Sequence, residues 1–124
     1  MDNDILFFHP FFPGQFKHLV AELASIGHDV FAICKNTSKH STAPYKVYTY
    51  QLNIGNTPGI HPLIVESESK VIRGISAAIC AQKLFKTGFI PNIIVGHPGW
   101  GDMLFIGEIW PDVPQIHYLE FFHG

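Results

Sequence analysis

The chain has 124 residues, 47% of them apolar, and a formal net charge of −2 with eight Lys and Arg in total. That length fits one domain, which can bury roughly two-thirds of the surface of its unfolded chain, so a core needs neither disulfides nor a structural metal. Eight scattered cations cannot track a phosphate backbone, which argues against a nucleic-acid partner.

Taken from the start, "MDNDILFF" is acidic where a signal peptide is basic. Asp4 to His9, "DILFFH", has no polar alternation and reads as a strand buried on both faces, as in a parallel sheet. The loop "PFFPGQ" follows, and then Phe16, Leu19, Val20, Leu23 and Ala24 recur at helical spacing, with Gly27 as the stop. "DVFAIC", Asp29 to Cys34, is a second strand, and "YKVYTYQL", from Tyr45, a third at the sheet edge. Val71, Ile72, Ile75, Ala78, Ile79 and Leu84 mark a long helix that ends at Gly88, ahead of Pro91. "NIIVGH" is the fourth strand, a helix from about Asp102 to Ile109 follows, and "QIHYLEFF" is the fifth strand. No run of the roughly 18 apolar residues needed for a membrane span occurs.

Strands alternating with helices predict an α/β, Rossmann-like, doubly wound parallel sheet of about five strands in three layers. Right-handed crossovers and the common doubly wound arrangement give the order 3-2-1-4-5. In that order strands one and four lie side by side, and the direction of winding reverses between them. Their carboxyl ends frame the crevice in which such sheets bind ligands. Strand one delivers His9 and "PFFPGQ" to it, and strand four delivers His97 and "PGWG".

The residue types suit a ligand site. Gly96, Gly99 and Gly101 allow close backbone approach or positive φ, and Pro98 stiffens the turn. Trp100 offers a flat wall and an N–H donor. First helical turns after Gly14 and after Gly101 leave N–H groups that attract phosphates. His97 can bond a sugar hydroxyl or stabilise developing charge. The alternative is structural: a tight strand-to-helix turn with Trp100 in the core and Asp102 as an N-cap, and His9 as a histidine packed among phenylalanines.

Other chemistries find little footing. Cys34 and Cys80 form no CxxC pair and read as small buried thiols of a reducing compartment. The eight histidines show no ligand spacing such as HxxxH, so no metal is expected. His28 falls just past a helix end, His18 faces solvent, and His40 and His61 are loop residues without an evident partner. "HPFFPGQF" holds one glycine, too few for a dinucleotide turn, and GxxxxGK[ST] and GxSxG are absent.

"ILFFHPFFPGQFKHLVAELASIGHDV" and "GFIPNIIVGHPGWGDMLFIGEIWPDVPQIHYLEFF" together resemble the N-terminal domain of family 4 glycosyltransferases, nearest to the bacterial subgroup with an HPGWG(E/D) segment and a later EFF. The resemblance implies a GT-B enzyme of two Rossmann-like domains that transfers a sugar from a nucleotide-sugar donor with retention and without a metal or other cofactor. It implies donor phosphate or sugar contacts at Pro13, Gly14, Gln15, Gly99, Trp100 and Gly101. His97 becomes the catalytic residue beside the donor sugar, and His9 and Glu120 become candidates for the acceptor side. Its partners would be the nucleotide-sugar and a carbohydrate or glycolipid acceptor.

The same resemblance implies that residues 1–124 are an incomplete acceptor-side domain whose C-terminal donor domain lies elsewhere in cis. Alone it is expected to be inactive, with Phe11, Phe12 and Trp100 on a bared cleft face that promotes self-association. A cytoplasmic location is expected, with contact at the inner face of the membrane left open. A stand-alone flavodoxin-like or receiver-like module is the rival reading.

Overall fold

The apolar run from Ile5 to Phe8 demands cover on both sides of its strand, and the fold supplies it. The computed structural model describes residues 4–9, 17–35, 45–52, 55–96 and 101–117. In chain order the elements are β1 (Asp4–Phe8), α1 (Lys17–Ser25), β2 (Asp29–Lys35), β3 (Tyr45–Tyr50), α2 (Pro62–Lys86), β4 (Ile93–Gly96), α3 (Ile106–Ile109) and β5 (Gln115–His117). The strands form one sheet in the order β3-β2-β1-β4-β5, every pair parallel. This is the Rossmann-like α/β arrangement that the alternation of elements predicts.

Side chains alternate across the sheet and build two separate cores. Ile5, Phe7, Val30, Ala32, Cys34 and Val95 pack on one face with Val20 of α1. Leu6, Phe8, Ile33, Tyr50 and Ile94 pack on the other with Ala77, Ala81 and Leu84 of α2, Ile106 of α3, and Met103 and Trp110 beside it. The Trp110 indole N–H donates to the Phe89 carbonyl at 3.1 Å, so even this buried ring is satisfied.

The long helix differs from its sequence pattern in which face is buried. Val71, Ile75 and Ile79 are expected on the core side, yet they are 43%, 46% and 52% exposed. The buried residues of α2 are Gly74, Ala77, Ala81 and Leu84. Large side chains already fill the sheet surface below, so the helix settles where its own face is small and its axis can come close. Both ends of α2 are capped. His61, expected to lack a partner, accepts from the Leu63 N–H through Nδ1 at 3.1 Å. At the other end the Thr87 hydroxyl donates to the Leu84 carbonyl at 2.6 Å, and Gly88 follows at φ +92. Glu68 ties the preceding loop down by accepting from the Thr57 N–H and hydroxyl at 2.6 and 2.5 Å.

A second difference concerns the segment after Gly101. Instead of a helix from Asp102, residues 102–105 are turns and α3 begins only at Ile106. Cys34 is buried as expected, whereas Cys80 is half-buried. No helix of the described residues is long and apolar enough to cross a membrane.

Because α2 buries alanines, Ala77→Leu should overpack its seam and cost about 1–3 kcal/mol. Ile79→Ala, on the half-exposed side, should cost under about 1 kcal/mol. Urea unfolding of both variants checks this, and a larger loss for Ile79→Ala would reverse the assignment of faces.

Candidate functional site

The register at the centre of the sheet sets the geometry. Phe8 of β1 pairs with Gly96 of β4, and Leu6 and Phe7 pair with Ile94 and Val95. The next residues along the two strands are His9 and His97, so the two punctuated loops leave the sheet from adjacent strands at the same edge. His9 is 5% exposed, and its backbone N–H donates to the Ile33 carbonyl at 3.3 Å, which ties the tip of β1 to β2 as well. His97, Pro13, Gly14, Gln15, Gly99, Trp100 and Glu120 lie outside the described residues.

Gly101 is described, and its backbone explains its identity. It is buried at φ +94, and a Cβ there would run into the Lys70 backbone, with the Lys70 Cα 2.8 Å away. A Cβ on Gly74 would in turn stand 2.7 Å from the Gly101 carbonyl oxygen. The turn after HPGWG is thus wedged against α2 with no room for a side chain at either contact. Met103 fills the space over Gly96 in the same way.

Asp102 is neither an N-cap nor exposed. Its side chain is fully buried, and the Tyr50 hydroxyl donates to its Oδ2 at 2.6 Å. Burial pushes its pKa up to about 6, against the opposing pull of the Tyr50 hydrogen bond and of the Arg73 guanidinium on α2. Burial, followed by the Asp102 charge, raises the Tyr50 phenol, which therefore stays protonated and remains the donor. Oδ1 of Asp102 finds no partner among the described residues. Cys34 is pushed up to about 12 by burial, with Cys80 and Asp102 adding to the effect, so it is no nucleophile. The sequence offers Asp102 only as an N-cap and gives no sign of Tyr50 or Arg73, because contacts between residues far apart in the chain leave no local pattern; Tyr50 lies 52 residues from Asp102.

A groove of about 410 Å³ opens between the C-terminal end of β3 and α2, lined by Thr49, Gln51, Ile75, Ile79 and Lys83 among others. It lies on the β3 flank of the sheet, not at the β1–β4 tips. His18 is exposed on α1, His28 is half-buried just past the end of that helix, and His117 on β5 is exposed with its ring nitrogen 3.1 Å from Gln115 Oε1.

A parallel doubly wound sheet whose winding reverses between β1 and β4 is the Rossmann-like α/β fold, a fold class in which ligands bind outside the carboxyl ends of the strands at that switch. The family model of the glycosyl transferase family 4 group matches residues 26–124, and the chain belongs to that family. No curated protein matches it in sequence. Among solved structures it is similar to a variant of Os79 from O. sativa in complex with UDP, with a TM-score of 0.58 at 15% identity over 90% of this chain and 28% of that one. Os79 in complex with UDP and deoxynivalenol-3-glucoside gives a TM-score of 0.57 at 16% identity over 90% and 27%. Apo UGT2 of Phytolacca americana gives 0.54 at 10% identity over 94% and 29%. At these identities the likeness is one of fold, and the chain spans under a third of each of those structures.

The buried carboxylate makes a prediction with a definite sign. Its folded pKa of about 6 lies above the ordinary 3.8, so the native state holds a proton that the unfolded chain has lost between those values. Through this group, stability therefore falls as pH rises across that window, by about 3 kcal/mol in all. Asp102→Asn keeps an acceptor for Tyr50 and removes the titration. The stability difference between the variant and the parent, followed by denaturant unfolding from pH 4 to 7, should grow in the variant's favour; a flat difference would contradict a buried ionised Asp102.

Proposed function

We propose that this chain is the acceptor-side N-terminal domain of a retaining glycosyltransferase of the bacterial HPGWG subgroup, which moves a sugar from a nucleotide-sugar donor to a carbohydrate or glycolipid acceptor. The observation that carries the reading is the β1–β4 pairing in a family 4 chain, with Phe8 opposite Gly96. It leads the PGQ and HPGWG segments away from neighbouring strands. UDP in the Os79 structures supports a nucleotide-sugar as the donor. Family membership favours this reading over a stand-alone flavodoxin-like or receiver-like module.

In this reading the second domain of the whole protein holds most of the donor and a pair of glutamates, so the present chain is inactive alone. The sugar–phosphate bond breaks through an oxocarbenium-like state, and negative charge collects on the leaving diphosphate. Backbone N–H groups after Pro13, at Gly14 and Gln15, stabilise that charge; one well-placed donor is worth about 3 kcal/mol. His97 orients the donor sugar beside them, while His9 and Glu120 serve the acceptor side. Gly99, Trp100 and Gly101 shape the wall of the crevice. The enzyme needs no metal in this scheme and works in the cytoplasm, at or near the inner face of the membrane.

The test is turnover of the full-length protein with a panel of nucleotide-sugars. His97→Ala should lower kcat by about two orders of magnitude with the fold intact. Near-normal turnover in that variant would remove His97 from the site.

A further inference from the structure

We infer that Asp102, held by the Tyr50 hydroxyl, is a positioning residue of the transferase site: it anchors to the sheet the turn that directly follows HPGWG. The inference rests on the glycosyltransferase reading of that segment.

Three described contacts converge on this turn. The Tyr50–Asp102 bond, 2.6 Å long and fully buried, ties the turn to the last residue of β3, beyond both β1 and β2. Gly101 and Gly74 press backbone against backbone from the α2 side. Met103 covers Gly96 at the end of β4. The segment 97–100 is therefore bounded in the chain by Gly96 at one end and by a doubly anchored turn at the other.

Stability does not ask for an acid at this place. A buried carboxylate is costly, and an apolar residue of like volume in the same core would serve stability equally well or better. What a carboxylate adds is a directional bond to one hydroxyl, which fixes where the turn sits. Displacing a catalytic group by about 1 Å can cost about 100-fold in rate. The titratable and charged groups that face Asp102 are Tyr50 on β3, Arg73 on α2 and Cys34 on β2. Of these the phenol and the thiol stay protonated at neutral pH, and the guanidinium stays charged.

The experiment uses the full-length protein, with Tyr50→Phe, Asp102→Asn and Asp102→Leu, and Tyr48→Phe as a control on the same strand. Two readouts are taken: amide exchange at Gly101, Asp102 and Met103, and steady-state kinetics in the donor. Tyr50→Phe should speed exchange in that turn about 10-fold with β1 amides unchanged. It should lower kcat about 10-fold while donor KM stays within about 2-fold, the pattern of a lost transition-state geometry rather than lost binding. Asp102→Asn, which keeps the acceptor, should stay within about 3-fold of the parent, whereas Asp102→Leu should behave like Tyr50→Phe or worse. Unchanged exchange in Tyr50→Phe overturns the anchor, and faster exchange with parental kcat overturns the positioning role. A parent that turns over no nucleotide-sugar at all defeats the glycosyltransferase reading itself, and the positioning role with it.

Discussion

The parallel pairing of β4 with β1 is the constraint on which the rest of this molecule depends. Had β4 added beyond β3, the two glycine- and proline-punctuated loops would leave opposite flanks of the sheet. Instead Ile5, Leu6, Phe7 and Phe8 register with Ile93, Ile94, Val95 and Gly96, and both strands are sealed between helical layers. The pairing is stable because each strand is apolar on both faces, which only an interior position in a covered parallel sheet can satisfy. The winding reversal that follows is a geometric consequence of that burial.

A second layer of organisation is steric. Along α2 the buried face is Gly74, Ala77, Ala81 and Leu84, and its three small residues let both the sheet and the turn at Gly101 come close to the helix axis. Into the tight space thus formed the chain inserts one acid, Asp102, with a tyrosine to receive it. The helix consequently turns β-branched residues outward, and Ile75 and Ile79 line the groove beside β3. One choice of small residues accounts for the close turn, the buried polar pair and the exposed apolar ridge.

The sheet order, the strands and the stops at Gly27 and Gly88 were legible in the sequence, because unbroken apolar runs and positive-φ glycines act locally. The face of α2 was legible only in part. Of the stripe that hydrophobic periodicity marks, Leu84 is buried, whereas Val71, Ile75 and Ile79 are exposed and the small Gly74, Ala77 and Ala81 take the core side. Asp102 enters the sequence reading only through the structural alternative, as an N-cap just ahead of a helical pattern. Its real partner is 52 residues away on an edge strand, and only the folded register brings it near. The convergence of the loops after β1 and β4 could be argued from topology, and the paired strands bear out the adjacency on which that argument stood. Family membership then follows from the match over residues 26–124.

The most direct measurement is a crystal structure of the full-length protein soaked with a nucleoside-diphosphate sugar. The diphosphate is expected against the backbone of Gly14 and Gln15 and the sugar beside His97, over the carboxyl ends of β1 and β4. A nucleotide bound instead in the groove between β3 and α2, with those ends empty, would contradict this placement.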